Sequence, residues 1–101
     1  MFSRNKEEQE AQYRKERELG EQARRILDDP MYQNAFQTVG QGIVDKWKSS
    51  PARDPEGREA LWNMLHLLNT VHKVFEETLT TGKLAEKSLT EIEKRGRRRA
   101  A

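Results

Sequence analysis

The clearest hydrophobic pattern in the chain starts at Asp29-Pro30 and continues to about Lys48. At 100° per residue, six apolar side chains of this stretch fall inside one arc, as in a helix buried on one side: Tyr32, Ala35, Phe36, Val39, Ile43 and Trp47. Asp29 stands at the N-cap position, and Pro30 at the first helical position, where its missing N–H costs nothing. We predict a helix over residues 30–48. Gly40 and Gly42 within it indicate either the close approach of another helix or a kink or ligand contact.

A second apolar pattern, which carries most of the hydrophobic residues of the chain, begins at Asp54-Pro55 and repeats the start signal of the preceding helix. One face of the predicted helix is apolar, and two additional residues widen it to nearly half of the circumference: Leu61, Met64, Leu65, Leu68, Val71, Phe75 and Leu79, widened by Leu67 and Val74. We expect Gly82 to end this helix after Thr81 as a C′ glycine. One partner helix does not cover so wide a face, so either the terminal helices or a second copy of the chain covers the rest.

The two ends of the chain give weaker helical patterns. Asn5, followed by Glu8, is typical of an N-cap, and the charged helix after it has an apolar face only near its end. A short helix is predicted after Gly82, with Leu84, Ala85, Leu89 and Ile92 on one side.

The predicted fold is all-α. It is an antiparallel helical hairpin, built from helices at about 30–48 and 55–81, with a long charged N-terminal helix and a short C-terminal helix. We divide the chain into a charged helical arm (residues 1–18), a helical core (residues 19–93) and a basic flexible tail (residues 94–101). The stretch between Lys48 and Arg58 is interpreted as the capped corner of the hairpin.

Composition limits the core and the chemistry. Of 101 residues, 34% are hydrophobic and 36% are charged, which favours a small core that a partner completes. No apolar run approaches the roughly 18 residues of a membrane span, and the polar first residues do not read as a signal peptide. We expect a soluble protein of the cytosol. The absence of cysteine excludes disulfides, thiolate catalysis and Cys-ligated zinc.

No combination of residues predicts catalysis. His66 and His72 are six positions apart, about 240° around a helix, so they cannot share a metal. His72 has Glu76 one turn later, which by itself is a weak ligand pattern. The chain has no phosphate-binding glycine loop, nucleophile elbow or spaced carboxylate–histidine set. We therefore predict that the protein is not an enzyme and takes no cofactor and no metal.

Four residues of the third helix are predicted to bind a partner. Trp62 falls on the polar side of that helix, where it is either covered by the charged first helix or offered to a partner, and tryptophan is enriched in binding hot spots. Leu67 and Val74 widen the apolar face of that helix beyond the part that one neighbouring helix covers. Arg58 either pairs locally or faces the partner.

The basic excess of the chain lies at its C-terminus. The net charge is only +2, yet five cations fall within six residues: Lys94, Arg95, Arg97, Arg98 and Arg99. If all five met phosphates, log K would fall against log salt with a slope of about −4.5. This cluster is interpreted as a solubilising tail, a nucleic-acid contact or a contact for an acidic protein surface.

Two short motifs stand out in the chain: W-x-x-S-P-x-x-D-x-x-x-R-E-x-L-W, from Trp47 to Trp62, and G-K-L-A, from Gly82 to Ala85. With these motifs the chain resembles small helical proteins that tailed bacteriophages encode among their head, packaging and other particle genes. The resemblance covers roughly residues 19–89 and includes no catalytic motif. It implies a phage assembly or packaging setting, in the host cytoplasm or the virion, without a defined activity.

Together these observations predict a non-enzymatic helical protein that self-associates, as a homo-oligomer, or docks on a larger phage assembly, without binding a membrane. The alternatives are an electrostatic nucleic-acid-binding protein that uses the basic tail, and a small inhibitor that covers a host enzyme.

Overall fold

A computed structural model describes residues 5–100 of the protein, and within this range the chain is all-α, as predicted. The three helices are α1 (Lys6–Asp28), α2 (Pro30–Ser49) and α3 (Pro55–Ala100). None of the three helices is long and apolar enough to cross a membrane.

The starts of all three helices follow from local capping. The Asn5 Oδ1 atom accepts from the backbone N–H of Glu8 at 2.8 Å, and the Asp29 Oδ1 atom accepts from Met31 N–H at 2.7 Å. In the same way, Asp54 Oδ1 accepts from the third backbone N–H after it, at 3.1 Å. Each carboxylate or amide satisfies a backbone donor that the first turn of a helix leaves open. The three predicted N-caps are therefore confirmed.

The predicted end of the third helix at Thr81 is wrong, and so is the separate short helix after it. Helix α3 continues without interruption from Pro55 to Ala100, and none of the glycines in the described chain has a positive φ. A C′ glycine requires the left-handed conformation, which Gly82 does not adopt. Residues 94–100, predicted as part of a flexible tail, are the last two turns of α3.

The structure divides into two compact units. The middle unit comprises Ile26–Phe75, which contains α2 and the first part of α3. The terminal unit comprises the described residues up to Arg25 together with those from Glu76 onward, which contain most of α1 and the rest of α3.

Aromatic rings form one end of the core of the middle unit. Tyr32 packs edge-on against Phe75, with ring centroids 5.6 Å apart, and its ring stacks on that of His72 at 5.9 Å. Phe36 completes the cluster at 4.6 Å from the His72 ring. Farther along α2, an added Cβ on Gly40 would touch Leu68 at an ordinary 3.6 Å. Offset and edge-to-face ring pairs at these distances stabilise a core beyond the area they bury.

The core of the terminal unit is formed by small residues. Gly20 and Ala23 of α1 are buried, as are Gly82 and Ala85 of α3, so each helix contributes the same Gly-x-x-Ala pattern. The absence of side chains at the glycines lets the two backbones approach closely. Gly82 therefore serves a helix contact and not the predicted helix end, and its counterpart Gly20 carries no signal in the sequence.

Candidate interaction surfaces

An exposed apolar row runs along α3 in the middle unit. Its members are spaced by three, four and three residues, and about half or more of each side chain is exposed: Met64 54%, Leu67 64%, Val71 49% and Val74 54%. This spacing keeps successive residues on one side of a helix, which is the pattern of a coiled-coil seam. We call these four residues the α3 row. It contains Leu67 and Val74, two of the four predicted partner-binding residues.

Trp62, the third predicted residue, lies elsewhere on α3. At 100° per residue, Trp62 and the α3 row fall on opposite flanks of the side that faces α2. Trp62 is 62% exposed and lines a small cleft whose walls are entirely apolar: Ile43, Val44, Trp47, Leu61, Trp62 and Leu65. The cleft holds about 200 Å³, less than the roughly 300–1,000 Å³ of typical small-molecule sites. It suits one apolar side chain better than a whole ligand.

Arg58, the fourth predicted residue, links the start of α3 to the end of α2. Its guanidinium lies over the Trp47 ring, 4.4 Å from the centroid. The Nη1 atom of Arg58 also donates to the backbone oxygen and to the Oγ atom of Ser50, both at 3.1 Å. These contacts occupy the cation within its own chain. Trp47 was expected in the core, but it is 39% exposed although the Arg58 guanidinium covers one face of its ring.

The helical conformation of residues 94–100 separates the five cations of the predicted basic cluster. Arg97 pairs with Glu93 at 2.7 Å, and Arg95 and Arg99 line a groove with Lys6 and Glu10 of α1. Lys94 and Arg98 lie about 100° around α3 from Arg95 and Arg99, in line with two lysines two to four turns earlier: Lys83 and Lys87. We call the set Lys83, Lys87, Lys94 and Arg98 the cationic row.

Other charged side chains of the terminal unit form ion pairs on its surface. Arg17 of α1 reaches Glu86 of α3 at 3.4 Å. Arg24 donates to Glu21 at 2.8 Å, and this hydrogen bond lowers the pKa of the Glu21 carboxyl below its usual value. Because all of these groups are exposed, the pairs position charge without adding much stability.

The two histidines have different surroundings. His72 Nδ1 lies 2.8 Å from the Tyr32 hydroxyl, within the aromatic cluster, while His66 is exposed. Within residues 5–100, no three or more His, Asp or Glu side chains come together in a way that could hold a metal ion. The sequence does not indicate the Tyr32–His72 contact, because nothing in the spacing of two residues 40 positions apart signals a hydrogen bond.

Comparisons with protein-family models, curated proteins and solved structures give no match to this chain.

Proposed function

We propose that this protein is a non-enzymatic helical binding module that acts by self-association or by docking on a larger assembly. In this proposal, α2 and the first part of α3 form an antiparallel hairpin that presents the α3 row. The contacts of Tyr32 with Phe75 and of Trp47 with Arg58 support this hairpin. The resemblance to small phage proteins supports a setting in particle assembly or DNA packaging.

The observation that carries the proposal is the apolar surface left exposed on α3. Within the described residues only Ala23, Ile43 and Ala85 are buried hydrophobic residues. In the α3 row, by contrast, each of the four apolar residues is about half exposed or more. A partner that covered the α3 row would remove this apolar surface from water.

The proposal is tested by two measurements on the wild type and a charged variant. Light scattering after size exclusion, over a hundredfold range of concentration, gives the mass of the pure protein. Affinity isolation of the tagged protein from the cells that produce it shows which proteins remain bound in stoichiometric amounts. We expect Leu67→Glu to abolish the association seen in one of these measurements, because it places a charge in the row.

The matched control is His66→Glu, which introduces the same side chain one residue earlier on an exposed polar side of α3. It should leave association unchanged. Two results together would contradict the proposal. The wild-type protein would stay a monomer at all concentrations, and every protein that it retains would also be retained by the Leu67→Glu variant.

A second candidate function is electrostatic binding of nucleic acid, and the cationic row favours it. Lys83, Lys87, Lys94 and Arg98 lie within about 60° of one side of α3 and extend over roughly 22 Å. None of the four has an ion pair within the described chain. A straight row of unpaired cations matches a phosphate backbone without reading its sequence. Binding of duplex DNA that weakens steeply with salt would support this candidate.

A further inference from the structure

We propose that the partner of the α3 row is a second copy of the chain, and that the row packs against an exposed row on α2 of that copy. The result is a two-fold symmetric four-helix bundle made of α2 and α3 from each copy. This inference rests on the proposed function and adds to it the identity of the partner and the register of the contact.

The second row lies on α2 and was not separated from the core face by the sequence pattern. All four of its residues are exposed, with spacings of four, four and three: Met31, Ala35, Val39 and Gly42. Met31 is 76% exposed and Val39 51% exposed, and a Cβ built on Gly42 would meet nothing within 4 Å. We call these four residues the α2 row. Apart from Met31 at its end, it is made of small side chains, so another helix can approach it closely.

Both rows lie on the same side of the helix pair. In each helix, the exposed row precedes the buried side by about 100° in the direction in which the chain turns. Because the two helices run in opposite directions in the hairpin, this equal rotation brings both rows to one face. A helix in a four-helix bundle contacts two neighbours at about this angle, so the face is shaped for two more helices.

The register within one chain fixes which residues would meet between copies. Tyr32 packs beside Phe75, and Gly40 lies beside Leu68, so it is known which residues of α2 and α3 lie at the same position along the helix axes. A two-fold axis parallel to the helices preserves these positions and places the α3 row of one copy on the α2 row of the other. The resulting layers are Met64 on Gly42, Leu67 on Val39, Val71 on Ala35, and Val74 on Met31.

These layers are complementary in size. The long side chain of Met64 meets a glycine, and Leu67 and Val71 each meet a smaller residue, so in three of the four layers a larger side chain of α3 faces a smaller one of α2. Packing of α3 against α3 instead would oppose Leu67 to Val71 and leave the small residues of the two α2 helices facing each other across a gap. Interiors pack without such voids, so the alternating arrangement is favoured.

The edges of the proposed interface carry no like charges opposite one another. In the same register, Thr70 of one copy faces Thr38 of the other. Asn63 faces Asp45, where the side-chain amide can donate to the carboxylate. The α2–α3 pairs therefore meet through an apolar centre with a polar edge, which is the usual composition of a stable interface.

A size-swap series tests the contact. Light scattering on the full-length wild type should give twice 11.8 kDa at high concentration and dissociation on dilution. Gly42→Leu should raise the dimer dissociation constant at least tenfold, because leucine would collide with Met64 of the other copy, although it has free space within its own chain. Adding Met64→Ala to Gly42→Leu should restore the dimer. Gly96→Leu, at another glycine with open space around it, is the control and should leave the mass unchanged.

Cysteine pairs test the register, since the chain contains no cysteine of its own. Under mild oxidation, the double variant A35C/V71C should form disulfide-linked dimers. L67C/V71C should not, because these positions meet only if α3 packs against α3. Cross-linking of L67C/V71C alone would overturn the proposed register.

Failure of this inference can be told apart from failure of the proposed function. A strict monomer at all concentrations overturns the second copy as partner. If that monomer still retains a different protein, and loses it in Leu67→Glu, the binding module stands and only its partner has been assigned wrongly. If the monomer retains none, both are overturned.

Discussion

Gly20 and Gly82 lie so close together that a Cβ built on either glycine would stand 2.7 Å from the Cα atom of the other. The Cβ of Gly20 would also stand 3.3 Å from the backbone oxygen of Thr78, and that of Gly82 would stand 3.0 Å from the backbone oxygen of Glu16. The neighbouring atoms belong to helix backbones, which cannot move aside as a flexible side chain can. Glycine is therefore required at both positions by packing, and neither position requires it for a turn.

Gly20→Ala and Gly82→Ala should each destabilise the protein. Overpacking costs about 1–3 kcal/mol, and the gain in helix propensity from glycine to alanine offsets about 1 kcal/mol of it. We expect a net loss of up to about 2 kcal/mol in the free energy of unfolding, measured by urea denaturation. The control is Gly96→Ala, where the added Cβ meets nothing within 4 Å; it should be neutral or stabilising by up to about 1 kcal/mol. Equal effects at all three glycines would refute the close contact.

Removing the Asp54 carboxylate should weaken the start of α3. Asp54→Ala should lower the free energy of unfolding by about 0.5–2 kcal/mol, as expected for a lost N-cap. Asp54→Asn keeps an accepting oxygen and should stay within a few tenths of a kcal/mol of the wild type. Both are measured by thermal and urea unfolding. If Asp54→Ala left stability unchanged but abolished association, the stretch between α2 and α3 would be a binding site and not chiefly a capped corner.

Tyr32→Phe should remove the hydrogen bond to His72 while keeping the ring contacts with Phe36 and Phe75. The expected loss is about 0.5–1.5 kcal/mol in the free energy of unfolding. Tyr13→Phe is the matched control, because the Tyr13 hydroxyl accepts from Gln9 at 3.0 Å on an exposed surface. Water replaces that partner, so the control should change stability little. An equal loss of unfolding free energy in both variants would show that the hydrogen bond to His72 stabilises the protein no more than an exposed one.

The salt dependence of DNA binding tests the cationic row. If the four cations of the row each meet one phosphate, the slope of log K against log salt on duplex DNA should be about −3.6. Lys87→Ala should make the slope shallower by about 0.9. Lys48→Ala, at the end of α2 in the other unit, should leave it unchanged. Fluorescence anisotropy at several salt concentrations gives both slopes; absence of binding at low salt would eliminate nucleic acid as a ligand.

The positions at which the helices start could be predicted because the relevant interactions are local. Asn5, Asp29 and Asp54 each cap a backbone N–H two or three residues away, so the signal is contained within four residues of sequence. The exposed α3 row could be predicted in part for a similar reason. Helical periodicity showed that Leu67 and Val74 lie beyond the reach of one neighbouring helix.

The continuity of α3 could not be predicted in the same way. A glycine after two threonines is typical of a helix end, and the sequence around Gly82 contains no information about Gly20, 62 positions earlier. Only the approach of α1 provides the reason for a glycine within a helix at this point. The same holds for Arg58, whose contacts with Trp47 and Ser50 depend on how the corner closes.

The sequence by itself determined that the protein is all-α, where each helix begins, and that the apolar face of α3 is wider than one neighbouring helix covers, because capping and helical periodicity act over one or two turns. The tertiary structure decided which apolar residues are buried and which stay exposed. It also decided that Trp62 and the α3 row lie on opposite flanks, and that Gly20 and Gly82 serve a backbone contact, because these depend on pairs of residues that only the packing of helices brings together.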